Sequence, residues 1–211
     1  MIKAIIFDYD GVIVDSFAGV FLVYQKICDY FGVACPEDIE EFRKTYGYNY
    51  LECLTNLGVA EKDFDKAQAI YQEEIVKINH SIFANIAEVI IELSSKYKLY
   101  LVSASHSHEV LPKIERFGLS EYFEQIYCGT DEKKRKNEMM TEVIASNNYL
   151  PTEVISIGDR AIDYAASKQA GIEDENIILV TYGWGLDVKL VAEANIVNSP
   201  LEILNLLKSY E

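Results

Sequence analysis

Asp8 and Asp10 stand two residues apart in Asp8-Tyr9-Asp10-Gly11-Val12, directly after an apolar run from Lys3 to Phe7. Two carboxylates at the end of a buried strand repel each other, so their proximity needs a cause. A carboxylate has an ordinary pKa of about 4 and is ionised at neutral pH, so a group of this type can act as a nucleophile without a separate base. Such oxygens also suit a hard divalent cation. A capped turn with two solvated acids would give the same short pattern. Three further polar features occupy equivalent places. Ser103 follows the run ending at Val102, Lys136 opens a helical stretch, and Gly158-Asp159-Arg160-Ala161-Ile162-Asp163 follows the run ending at Ile157. Ligands of an open α/β sheet bind beyond the carboxyl ends of its strands. Convergence of these residues is therefore expected.

The elements that must position them can be read from periodicity. The runs Lys3-Phe7, Lys98-Val102, Val154-Ile157 and Ile177-Val180 are short, apolar and β-branched, with weaker members at Gln125-Tyr127 and Ala194-Val197. Continuous rather than alternating apolar runs suit strands covered on both faces, as in a parallel sheet. Helical stripes lie between them. Asn85 to Tyr97 places Ile86, Val89, Ile90 and Leu93 on one face, Val110-Phe117 stops at Gly118, and Ala161-Ala170 stops at Gly171. Ser199-Pro200 reads as the cap and first residue of a helix over Leu201-Leu207. Alternating strand and helix predicts an α/β fold with a doubly wound, Rossmann-like parallel sheet.

From Ser16 to His80 that alternation breaks. Only helical patterns occur: Phe17-Phe31 ending at Gly32, a helix opened by Pro36, Leu51-Leu57 ending at Gly58, and Phe64-Ile78. The expected organisation is a core of residues 1-15 and 81-211 with a helical insertion at 16-80.

Composition narrows the partners. With 34 acidic and 19 basic residues the formal charge is -15. A polyanion binds through clustered cations that displace its counterions, so neither nucleic acid nor an anionic membrane is an expected partner. A small anion remains compatible, because a bound cation and one or two lysines can reverse the local field. Cys28, Cys35, Cys53 and Cys128 are scattered without a CxxC pair, which fits reduced thiols and a cytoplasmic location. Lys3, Asp8 and Asp10 interrupt the first apolar run, which therefore reads as a strand and not as a signal peptide or membrane span. Composition gives no oligomeric state.

The whole pattern resembles the haloacid dehalogenase superfamily of phosphohydrolases with a helical cap inserted after the first strand. The resemblance is carried by Phe7-Asp8-Tyr9-Asp10-Gly11-Val12-Ile13-Val14-Asp15-Ser16, by Leu101-Val102-Ser103, by a lysine, and by Gly158-Asp159 with Asp163. The stretch Val180-Thr181-Tyr182-Gly183-Trp184-Gly185 is similar to the family's loop beside the site. The resemblance implies magnesium-dependent hydrolysis of a small phosphorylated metabolite, most like phosphoglycolate phosphatase. It implies that Asp8 takes the phosphoryl group and that Asp10 is the general acid and base. Ser103 and Lys136 would hold phosphoryl oxygens. Asp8, the Asp10 backbone carbonyl and Asp159 would bind the metal, with Asp163 binding directly or holding the ligands in place.

Two positions depart from the family pattern. Ala104 stands where an asparagine is common, and no proline follows the candidate lysine. Lys133, Lys134 and Lys136 crowd together, with Lys136 the best fit and Lys134 the alternative. A phosphomutase of the β-phosphoglucomutase type would share the cap position and both aspartates. An idle phosphate-binding module should have lost a motif residue, and none is missing. His106 and His108, with metal-ligand spacing, read as part of a loop or helix start. Tyr46, Tyr48 and Tyr50 read as packing or surface residues. Arg43 and Lys44 are the insertion's best candidates for anion contacts.

Overall fold

The computed structural model describes all residues except 48, 130–133, 186–190, 192–193 and 209–211. Its first elements are β1 (Ala4–Phe7), β2 (Val14–Asp15), α1 (Phe17–Phe31), α2 (Ile39–Tyr46), α3 (Tyr50–Asn56) and α4 (Phe64–Ile75). They are followed by β3 (Ser81–Ile82), α5 (Ile86–Ser94), β4 (Lys98–His106), α6 (Ser107–Arg116), β5 (Gln125–Gly129) and α7 (Lys136–Ser146). The chain ends with β6 (Val154–Gly158), α8 (Ala161–Gln169), β7 (Ile177–Val180), β8 (Asn195–Val197) and α9 (Pro200–Leu207). It divides into two compact units, Met1–Asp15 with Ser81–Glu211, and Ser16–His80.

The larger unit is built on a six-stranded sheet in the order β5-β4-β1-β6-β7-β8, with every neighbouring pair parallel. β1 shows why its run is apolar without alternation. Ile5 and Phe7 face one layer with Val89 and Ile90 of α5, Val110 of α6 and Ile203 of α9. Ala4 and Ile6 face the other, with Met139 and Val143 of α7 and Ala166 of α8. Both faces are covered, so each position gains from burial, at about 1.5–3 kcal/mol per large aliphatic side chain. The strand order reverses beside β1: β4 and β5 lie on one side, and β6, β7 and β8 on the other. A crevice beyond the strand ends at such a reversal is where α/β sheets take ligands.

The smaller unit is helical and has an aromatic centre. Phe42 stacks against Phe17 and Phe21 at ring distances of 5.3 and 4.9 Å. Tyr24 packs against Tyr46, Tyr50 and Tyr71. Tyr46 and Tyr50 therefore belong to this cluster, while Tyr48 lies outside the described residues. Arg43 lies 4.4 Å over the ring of Phe17.

Several boundaries differ from the sequence expectation for local reasons. The second helix of the insertion starts at Ile39 rather than at Pro36, because the Asp38 carboxylate accepts from the backbone N–H groups of Glu40 and Glu41 and caps it there. Ser199 precedes α9 without capping it through its side chain. Instead the Glu202 carboxylate accepts from the backbone N–H of Asn198 at 2.9 Å. The fourth helix stops at Ile75, three residues early. β2 and β3 pair antiparallel through Val14 with Ile82 and Asp15 with Ser81. Two residues per strand are too few for a period to show, so this ribbon had no signal.

Candidate active site

Asp8 is the first residue beyond β1, and its backbone N–H donates to the Ile157 carbonyl at 2.9 Å, continuing the ladder with β6. The chain then turns sharply. Gly11 adopts a φ of +79°, and a Cβ there would stand 1.9 Å from Asp159 Oδ2. A Cβ on Gly183 would meet the same oxygen at 2.4 Å. Both glycines thus let backbone approach the Asp159 carboxylate, which accepts from the Trp184 N–H at 2.6 Å. The 180–185 stretch singled out in the sequence does reach Asp159.

Asp8, Asp159 and Asp163 are buried, and each offers a carboxylate oxygen within 4.8 Å of the others. Among the described residues this is the one group of three or more side chains able to hold a metal. Lys136, the first residue of α7, sends Nζ to Asp8 Oδ1 at 2.7 Å and to Asp163 Oδ1 at 2.5 Å. Asp163 Oδ2 accepts from the Asp159 and Arg160 N–H groups at 3.1 and 2.9 Å. Asp163 therefore ties the lysine to the turn after β6. Lys134 pairs with Glu142 at 3.1 Å on the surface instead, and Lys133 lies outside the described residues.

The charges here do not balance. Three buried carboxylates face one buried ammonium. Burial first, and the neighbouring Asp163 next, push Asp8 up to about 7 despite Lys136. Burial and the same carboxylate neighbours hold Asp159 well above the ordinary carboxylate range. Burial acts most strongly against ionised Asp163 as well, but Lys136, Arg160 and the Asp159 N–H together hold that carboxyl low. Burial opposes the Lys136 ammonium too, yet Asp163 and Asp8 together raise it above the usual lysine value. An all-oxygen donor set with unmet negative charge fits a hard divalent cation.

Asp10 and Ser103 complete the row, with a difference. The sequence places the end of β4 at Val102, but the strand runs on to His106 with an irregular register after Ser103. Ser103 is therefore inside the strand and buried. Its Oγ accepts from the Ser105 N–H at 3.0 Å, and Ser105 Oγ donates to Asp10 Oδ2 at 2.7 Å. The Asp10 side chain is not one of the clustered carboxylates. Sequence reasoning missed Ser105, although Ser103-Ala104-Ser105 repeats the two-residue spacing of the aspartate pair. It also missed the buried pair of Glu109 and Lys113, 3.3 Å apart on α6. Burial, and then the charge of Asp10, push Glu109 up to about 7. His106 and His108 lie side by side at the junction of β4 and α6, ring centroids 5.4 Å apart with their planes tilted by 37°.

Known proteins are similar to this chain over most of its length. It is 29% identical over 220 residues to a phosphorylated carbohydrates phosphatase of Thermotoga maritima, covering 98% of each. It is 23% identical over 188 residues to a phosphoglycolate phosphatase of Synechococcus elongatus, covering 88% of this chain and 85% of that one. A haloacid dehalogenase-like family protein from Streptococcus pneumoniae shares its fold with a TM-score of 0.85 at 24% identity, over 98% of both chains. With residues 5–174 matching the sequence profile of the haloacid dehalogenase-like hydrolases, the chain belongs to that family.

Proposed function

We propose that this hydrolase removes phosphate from a small phosphorylated metabolite, with magnesium, through an aspartyl-phosphate on Asp8. The observation that carries the reading is the buried trio Asp8, Asp159 and Asp163 joined to Lys136 at the strand reversal. The names of the two phosphatases similar to it point the same way. Asp8 and Asp159, with the Asp10 carbonyl, would hold the cation, while Asp163 fixes Lys136 and the turn. When bound, the cation supplies charge neutralisation between the carboxylates and the incoming phosphate.

The chain's own residues carry the steps. Asp8 attacks phosphorus, forming an O–P bond as the ester P–O bond breaks, and Asp10 gives its proton to the departing oxygen. Water then attacks the same phosphorus, Asp10 takes its proton, and Asp8 is released with inorganic phosphate. Ser103 and Lys136 hold the phosphoryl oxygens as charge shifts between them. The unit Ser16–His80 is read as the cap that selects the substrate, because it leaves and rejoins the core through the β2–β3 ribbon. A cytoplasmic location fits the four free cysteines. Among the described residues no helix is long and apolar enough to cross a membrane.

The direct test is phosphate release from a panel of phosphorylated metabolites, with magnesium and with a chelator. Magnesium-dependent release from at least one sugar or short-acid phosphate is expected. Undiminished turnover in chelator would refute the role given to the cation. Isomerisation of a sugar phosphate without net release would make the protein a phosphomutase.

The lysines give a second expected result. Lys136→Ala should lower turnover by roughly 10²–10³-fold, the usual cost of losing one group that stabilises a developing oxyanion. Lys134→Ala should leave it within about threefold, since its partner is an exposed glutamate. The reverse order in steady-state kinetics would show that the phosphate-binding lysine lies two residues earlier.

Stability should depend on pH and metal together. Asp8 and Glu109 both rise to about 7 on folding, and Asp159 rises as well. Between the ordinary carboxylate values near 4 and pH 7 the native state therefore binds more protons than the unfolded chain. Metal-free stability should fall as pH rises through that window. A cation needs ionised ligands, so its stabilisation should grow over the same range. Thermal unfolding in chelator and in magnesium at pH 5, 6, 7 and 8 checks this. The magnesium shift should be smallest at pH 5 and largest at pH 8, and a pH-independent shift would contradict the site.

A further inference from the structure

The geometry points to Ser105 as the positioning residue that sets the Asp10 carboxylate for proton transfer. This rests on the reading of Asp10 as general acid and base, and deepens it. The cause lies in the strand. Ser103 pairs with Cys128 on β5, and the next pair is His106 with Gly129. Ala104 and Ser105 therefore have no partner residues on β5, and the two are looped out as a bulge. Bulges redirect side chains, and they gather beside active sites. Gly129 makes room for this one, since a Cβ there would meet the Ala104 carbonyl oxygen at 2.2 Å.

Two hydrogen bonds then fix the looped-out serine. Its N–H donates to Ser103 Oγ at 3.0 Å, which holds the backbone. Its Oγ donates to Asp10 Oδ2 at 2.7 Å, across 95 residues of sequence and in partly buried surroundings. The hydrogen bond on Oδ2 sets the orientation in which this carboxyl hands a proton to the leaving group and later receives one from water. Ser105 itself exchanges no proton and touches no reacting atom. A fixed donor on one oxygen favours one rotamer of the Asp10 carboxyl over its alternatives, in either protonation state.

The experiment compares phenyl phosphate, whose leaving group needs a proton, with 4-nitrophenyl phosphate, whose leaving group needs one much less. It uses the full chain with magnesium in wild-type, Ser105→Ala, Asp10→Asn and doubly substituted forms. Ser105→Ala should lower kcat/KM for phenyl phosphate roughly tenfold, and for the nitro ester by less than about threefold, in line with the loss of a single hydrogen bond. Added to Asp10→Asn, it should change neither rate further. Equal slowing of both esters, or a second full loss on top of Asp10→Asn, would show Ser105 to be only a structural residue and overturn the inference. If Asp10→Asn itself slowed both esters equally, the reading of Asp10 would fall first. Selective slowing by Asp10→Asn, with Ser105→Ala indistinguishable from wild type, would sink the Ser105 inference alone.

Discussion

Asp8→Asn protein should fold, bind its substrate and release no phosphate above background. Asp8 Oδ1 already accepts from the Tyr9 N–H and from Lys136 Nζ, both at 2.7 Å. An amide oxygen can take both bonds in the same place, so the turn after β1 keeps its geometry. The other oxygen becomes an NH₂ group, and an amide is not a nucleophile toward phosphorus. No phosphoenzyme can form, and the loss should reach the detection limit. Stability should move the other way. The carboxyl of Asp8 is pushed up to about 7 by burial and by Asp163, so its ionised form is strained in the metal-free protein. Removing that charge relieves repulsion among the three carboxylates, while Lys136 keeps Asp163 at 2.5 Å. At pH 8 in chelator the variant should unfold at or above the wild-type temperature, with a reduced magnesium shift because one ligand has gone. Phosphate-release assays and thermal unfolding on one preparation read both effects. Turnover within tenfold of wild type would rule out Asp8 as the nucleophile.

The sequence made the central strands legible because burial on both faces leaves a continuous apolar run, as in Ala4–Phe7 and Ile177–Val180. Helix ends were readable where glycine adopts positive φ, as at Gly32, Gly118 and Gly171. They were misread where a side chain sets the boundary instead, as Asp38 does for α2. The site was legible for a related reason. Asp8 and Asp159 directly follow runs that had to be strands, and strand ends in a parallel sheet converge. Ser105 was hidden because the bulge in β4 depends on a close approach between Ala104 and Gly129, a contact made across two strands. The Glu109–Lys113 pair was hidden too, since charges four apart on a helix are ordinarily solvated. Here that face is buried.

Asp10→Asn separates the two tasks of the aspartate pair and should give a different failure from Asp8→Asn. The nucleophile stays, and so does the Asp10 backbone carbonyl. The side-chain oxygen of asparagine can still accept from Ser105 Oγ, which now contacts Asp10 Oδ2 at 2.7 Å. What goes is the exchangeable proton. With an ordinary alkyl phosphate the departing alkoxide needs that proton, so turnover should fall by roughly 10²–10⁴-fold, the usual contribution of general acid–base catalysis. With 4-nitrophenyl phosphate the leaving group needs little help, and transfer to Asp8 should recover. Hydrolysis of the aspartyl-phosphate still requires a base to take the proton of the attacking water, so this second step stays slow. The covalent intermediate should then accumulate. Rapid-quench kinetics should show a burst of nitrophenol close to one equivalent per enzyme, followed by a slow steady rate, with acid-stable phosphate attached to the protein. Steady nitrophenol release with no burst and no phosphoprotein would mean that Asp10 does not serve the second step. In that case the base for water lies elsewhere in the site, and only the first of its two roles would remain.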